Sequence, residues 1–254
     1  MALFTGAIHI SLRAVISHFT FDYAVQGNVM DTVDHQSDKA GLGSLLKHLH
    51  LLFFRPRHFV EHLALFNTPL VLCLMAWSLG ASNAVERIDR LILQRELGGA
   101  GSSSLALLGV IEQGWLPFFL FVTVVGALGG FFTWLIGGWF YNLRLSLCGA
   151  KHINKQKGRL IYLLSNLVLT LPHLILLMVA AIHYPDYLTY QDADEYWSLV
   201  LLVFPFWSVV VSFCSVRAAF DLIHWKAVFW FFALPVLFYL FTYGAAIWFV
   251  LSSA

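Results

Sequence analysis

From residue 63 to the C-terminus the chain alternates long apolar runs with short polar connections. The runs are too long for strands and too evenly apolar for the one-sided helices of a soluble domain. A helix that crosses a bilayer needs about 20 apolar residues at a rise of about 1.5 Å each. Five stretches approach or exceed that length: Leu63 to Ala81, Trp115 to Tyr141, Leu160 to Tyr184, Tyr196 to Phe220 and Ala227 to Leu251. The pattern predicts an all-α polytopic membrane protein, a bundle of five transmembrane helices. The second run is longer than a bilayer requires and is expected to tilt or project. Pro69, Pro117, Pro172, Pro205 and Pro235 fall within these runs, where lipid tolerates them because leaving helical structure costs more than a kink.

The connections carry less pattern. In "AVERIDRLILQREL", Val85, Ile88, Leu91, Ile92 and Leu97 fall near helical spacing, which predicts an amphipathic segment on the outer interface, a substrate lid being the functional alternative. "GGAGSSS" then unlinks it from the second span. Residues 30–62 read as a cytoplasmic N-terminal segment that leads into the membrane. Residues 1–29 are interrupted by His9, Arg13, His18 and Asp22, so they lack the apolar core of a signal peptide or a span. They read as a non-native or disordered extension, with translation starting at Met30. Residues 63–254 form the membrane domain.

Composition turns this pattern into a class. Hydrophobic residues make up 59% of the chain and charged residues 11%, against roughly a quarter charged in soluble domains. The net charge of +1, with no basic run beside stacking aromatics, excludes a nucleic-acid partner. Cys73, Cys148 and Cys214 form no CxxC pair and read as buried small hydrophobes.

Charge also sets the sides. Lys39, Lys47, Arg55 and Arg57 precede the first span, Arg144, Lys151, Lys155, Lys157 and Arg159 follow the second, and Arg217 and Lys226 follow the fourth. The opposite connections hold Arg87, Arg90 and Arg95 among Glu86, Asp89, Glu96, Glu112, Asp186, Asp192, Asp194 and Glu195. The positive-inside rule then puts the N-terminus in the cytoplasm and the C-terminus outside.

Three groups of residues are candidates for chemistry or contact. His58, Glu61 and His62 form H-x-x-E-H, the zinc-helix pattern of the inverzincins, since positions i, i+3 and i+4 share a helical face. Zinc needs a further protein ligand, and on the cytoplasmic side Asp221 or His224 could supply it. The competing reading makes His48, His50, Arg55, Arg57, His58 and His62, with Phe53, Phe54 and Phe59, a collar of headgroup-seeking side chains around the first span. That reading is preferred, with no metal and no cofactor.

Gly126 and Gly130 form a GxxxG pair, and Gly137 with Gly138 repeats the small surface two turns later, so a helix backbone can approach closely, from the same chain or from another copy. Asn166 and His173 lie seven residues apart near Pro172 and offer an intramembrane polar site, either a solute or proton path or an interhelical hydrogen bond. Arg217 and Asp221 are expected to pair at i and i+4, and Arg144 to snorkel toward the headgroups. No G-x-S-x-G elbow, P-loop or dinucleotide fingerprint occurs.

The run "GGWFYNLRLSLCGAKHINKQKGRLIYLL" resembles the corresponding region of the Yip family, the Ypt-interacting proteins with a five-helix Yip domain. "LLFFRPRHFVEHL" is similar to the family's aromatic, Pro-containing approach to its first helix. "TLPHLILLM" resembles its third helix, and "PFWSVVVSFCSVRAAFDLIHWKAVFWFFALPVL" its fourth helix, basic turn and fifth helix. The resemblance covers Leu51 to the C-terminus. It implies an integral membrane protein of the compact bacterial inner-membrane type, because the eukaryotic relatives that meet Rab-type GTPases carry a longer cytoplasmic segment. The expected function is that of a non-catalytic membrane organiser or interaction protein, whose partners are the bilayer and other membrane proteins, with self-association among the options. A small-solute or ion transporter is the alternative, and a zinc-dependent membrane hydrolase the third reading.

Overall fold

A computed structural model describes residues 42–96, 102–151, 153–193 and 200–253, all within one compact unit that spans Ala40–Ala254. The extension at 1–29, residues 30–41 and the start of the fourth run lie outside the described residues. All the regular structure described is helical. In chain order the elements are α1 (Leu42–Phe54), α2 (Pro56–Phe59) with a 3-10 stretch (Val60–Phe66), α3 (Pro69–Glu96), α4 (Ser102–Ile111), α5 (Trp115–Leu147), α6 (Lys155–His183), α7 (Tyr187–Asp192) and α8 (Val203–Ala219). The last, α9, runs through His224–Val228, a π-helical turn at Phe229–Ala233, and Leu234–Ser253. Among the described residues four helices are long and apolar enough to cross a membrane: α3, α5, α6 and α9 over His224–Ala245. The architecture is all-α and compatible with a multi-pass membrane protein. The fourth run yields the shorter α8, of 17 residues.

The first span differs most from the sequence expectation. It begins at Pro69 rather than Leu63, because residues 60–66 tighten into a 3-10 stretch and Pro69 takes a first-turn position, where its missing N–H costs nothing. It then continues without a break to Glu96, absorbing the segment expected on the outer interface. Val85, Ile88 and Ile92, at i, i+3 and i+7, are buried against Leu108, Ile111, Phe118, Val122, Leu177 and Tyr187 of the same chain. The amphipathic stripe is thus the inner face of α3, not a membrane-surface helix. Part of the expected Gly-Ser linker is likewise helical, as the first turn of α4.

The prolines sort by position. Pro69, Pro117 and Pro205 fall in first turns, so three of the five need no tolerance from lipid. Pro172 lies inside α6, and Pro235 follows the π-helical turn of α9. The α5 helix ends in a Schellman arrangement: Gly149 takes φ 82, its N–H reaches Ser146 O at 2.9 Å, and the Ala150 N–H reaches Leu145 O at 3.3 Å. Asn154 then caps α6 by accepting from the Gln156 and Lys157 N–H groups at 3.1 and 3.0 Å.

The helices α3, α5 and α6 pack mutually, α8 packs on α6, and α2 packs on α8. Phe59, expected among headgroups, is fully buried and meets the Phe66 ring at 4.8 Å. The Trp207 indole donates to Phe53 O at 3.0 Å, which ties α1 to α8. The collar residues of α1 and α2 therefore divide between an outer surface and the bundle. Cys148 and Cys214 are buried, but Cys73 is exposed on α3, contrary to the expectation of burial.

Candidate functional site

The glycines seat two different helices. A Cβ on Gly126 would lie 2.9 Å from the Ala81 Cα, one on Gly130 2.7 Å from the Ala76 carbonyl carbon, and one on Gly80 2.7 Å from the Gly130 Cα. Gly126 and Gly130 thus touch the α3 backbone, and Gly80, unmarked in the sequence, completes the seam from the other side. Gly137 and Gly138 instead receive side chains of α6, Tyr162 and Arg159 respectively. The contacts are within one chain.

Some polar groups inside the bundle are paired across helices. The His173 Nδ1 and the Ser82 Oγ lie 2.9 Å apart, joining α6 to α3. Asn166 does not join them: its side-chain amide donates to Tyr162 O of its own helix at 2.8 Å. The two residues of the expected site share a face but not a network. Thr170, buried three residues before His173, has a hydroxyl without a hydrogen-bond partner. Tyr141 and Ser212, both buried, bond at 2.9 Å and tie α5 to α8. Ser78 and Ser82 are the sequence signal that was missed, two hydroxyls four apart in an apolar helix.

Arg144 corrects the expectation of snorkelling. Its guanidinium donates to Trp230 O and lies 4.3 Å from the centroid of Phe231. The reason is in α9. In the π-helical turn the Leu234 N–H bonds to Phe229 O, so the next carbonyl in that register, Trp230 O, faces Pro235, which has no N–H. Arg144 supplies the missing donor. Arg217 lies 5.9 Å from the Phe213 ring centroid, and α8 ends at Ala219 with an extended Phe220, so helical spacing does not carry Asp221 to its face.

At the other end of the bundle, the Tyr187 hydroxyl donates to Asp89 Oδ1 at 2.5 Å, and Gln191 donates to the same oxygen at 3.0 Å. Tyr187 is 1% exposed and stacks on Phe118 at 4.3 Å. Burial, followed by the charge of Asp89, pushes its phenol well above the usual range. Arg95 pairs with Glu112, closing α3 onto the end of α4.

The H-x-x-E-H side chains engage one another and His48. His58 Nδ1 pairs with Glu61 at 2.7 Å, and the His62 ring lies tilted against that of His48, centroids 4.7 Å apart. The stretch changes from α-helical to 3-10 at Val60, yet His58 and His62 stay neighbours with ring centroids 5.4 Å apart, and Glu61 occupies the His58 Nδ1. Among the described residues no three His, Cys, Asp or Glu side chains gather to hold a metal, so His58, His62, Asp221 and His224 do not converge.

Comparison of the chain with protein-family models, with curated proteins and with solved structures finds no match.

Proposed function

We propose that the chain is a non-catalytic integral membrane organiser or interaction protein of the Yip type, with five spans, in a bacterial inner membrane. Its N-terminus is cytoplasmic and its C-terminus outside, as the distribution of basic residues argues. The fifth span is α8: 17 residues rise about 26 Å, close to the roughly 30 Å of hydrocarbon, and residues 200 and 201 before it are also helical.

One observation carries this reading. Two inward polar pairs tie helix to helix, Ser82 to His173 and Tyr141 to Ser212, while α5 and α9 keep Phe131, Phe132, Trp139, Phe238 and Phe241 outward. A scaffold is bonded inside and offers apolar, aromatic surface outside, as a protein does when its work is lateral contact in the bilayer. The transporter remains a second reading because the unpartnered Thr170 hydroxyl sits one turn from His173.

Proteoliposomes separate the two. With a pH gradient imposed, the wild type and His173→Gln should give the same flux as empty vesicles. Gln keeps a polar tip but does not titrate near neutral pH. A proton-coupled flux in the wild type that disappears in a folded His173→Gln variant would overturn the organiser reading.

A further inference from the structure

The paired glycines of α5 hold two side chains of α6 that have no partner of opposite charge. A Cβ on Gly138 would lie 2.6 Å from the Arg159 Cγ, and one on Gly137 2.8 Å from the Tyr162 Cε1. The Arg159 arm therefore lies flat on Gly138, and its guanidinium sits 5.4 Å from the centroid of Trp134. Asn142 bonds Lys155 O, and Gly138 meets Arg159, so α5 and α6 run antiparallel here. Trp134 is one turn further from the connecting loop than Gly138. The arginine thus reaches away from the loop, opposite to the direction in which an arginine seeks water.

No carboxylate pairs with Arg159 in any ion pair among the described residues, and its Nε is buried without a hydrogen-bond partner. The chain contains no Asp or Glu from Gln113 to Pro185, while Arg144, Lys151, Lys155 and Lys157 crowd the same end. The Tyr162 hydroxyl makes no hydrogen bond among the described residues. A guanidinium in a low-dielectric surround needs an anion, and the described residues supply none.

Depth indicates which anion. The 29 residues of α6 rise about 43 Å, so about 7 Å stand beyond each side of a centred hydrocarbon layer of about 30 Å. Arg159 is the fifth residue, its Cα about 6 Å along, at the edge of the hydrocarbon, and its arm reaches inward from there, so the anion it meets is a lipid headgroup drawn in beside Trp134. The surplus of cations favours a headgroup of net negative charge. We propose that Arg159, laid across Gly138 onto Trp134, binds the phosphate of an anionic phospholipid, with the Tyr162 hydroxyl as a second donor. The terminal guanidinium nitrogens form the fork that fits two phosphate oxygens, and the lipid's chains lie along the outward face of α5.

The test uses the purified full chain in mild detergent, with phosphatidylglycerol, phosphatidylcholine or sodium phosphate added, read by melting temperature and by lipid retained in native mass spectra. Phosphatidylglycerol should raise the midpoint of the wild type and persist as bound lipid, with the half-maximal concentration about ten-fold higher in Arg159→Gln and one fewer lipid retained. Arg87→Gln, at an exposed cation in the second half of α3 at the far end of the bundle, should behave as the wild type. Should Arg159→Gln fail to fold, Gly138→Ala takes its place, since the added methyl displaces the arm and leaves the charge. Equal lipid retention in wild type and the folded variant overturns the proposal. So does an equal response to phosphatidylcholine, and a midpoint shift reproduced by sodium phosphate alone would make the ligand free phosphate rather than a lipid.

Discussion

Replacing Gly130 by Ala places a methyl group in the close seam between α3 and α5. Its carbon would lie 2.7 Å from the Ala76 carbonyl carbon and 3.2 Å from the Trp77 amide nitrogen, whereas carbon atoms settle at about 3.5–4.0 Å. The obstacle is backbone, so no rotamer change relieves it, and the helices must part by roughly 1 Å. A gap of that size forfeits about a quarter to a half of the dispersion well for each atom pair across the seam. Overpacking of this kind costs about 1–3 kcal/mol, and each kcal/mol lowers the midpoint by roughly 2–4 °C in a chain of this size. Gly244→Ala in α9 is the reference. Nothing lies within 4 Å of its added carbon, so the same chemical change should favour the helix by about 1 kcal/mol. Thermal unfolding in detergent, followed by tryptophan fluorescence, should place Gly130→Ala below the wild type and Gly244→Ala at or above it. Equal midpoints for the two variants would refute the seam.

Arg144→Gln shortens the donor that reaches Trp230 O, and loss of this charged hydrogen bond should cost about 1.5–3 kcal/mol in denaturant unfolding; an unchanged midpoint would mean that the carbonyl is satisfied otherwise. Tyr187→Phe leaves Asp89 with one donor fewer and should cost about 1–3 kcal/mol at neutral pH. Because the folded-state pKa of Tyr187 is raised, its contribution is full below the unfolded value of about 10 and is lost as pH rises past it. The wild type should therefore lose stability faster than Tyr187→Phe above about pH 10, and parallel alkaline limbs would count against the burial argument. In vesicles of known sidedness, a cysteine at Lys155 should be shielded from an external thiol reagent and one at Asp192 labelled, in a chain whose own three cysteines are replaced; the reverse pattern overturns the assignment of sides.

Hydropathy made the spans legible, because a long apolar run in a chain with so few charges has few alternatives to a helix. The starting point of α5 and the small surface at Gly126 and Gly130 could be read directly. The length of α3 could not. Arg87, Asp89, Arg90 and Arg95 mark its second half as polar, and a hydropathy window ends the span there, although Val85, Ile88 and Ile92 continue the buried face. Pairings between distant segments were equally hidden. His173 stands out in its run, but its partner Ser82 is an ordinary hydroxyl 91 positions away. The H-x-x-E-H spacing did bring His58, Glu61 and His62 together, but spacing says nothing of a further ligand from a distant segment, and among the described residues none joins them.

The contact between Arg144 and Trp230 also bears on how the chain enters the membrane during synthesis. Taken alone, α5 carries a cation near its end that lipid does not neutralise, and α9 carries a carbonyl that Pro235 leaves open in a solvent without donors. Each helix is costly to release into lipid by itself, and the two costs cancel when the helices meet. Since 86 residues separate the two groups, α5 has to wait beside the insertion machinery, or hold its arginine at the headgroups, until α9 arrives. A chain truncated after α8 never receives that carbonyl, and its second span is the one that quality-control proteases should recognise first.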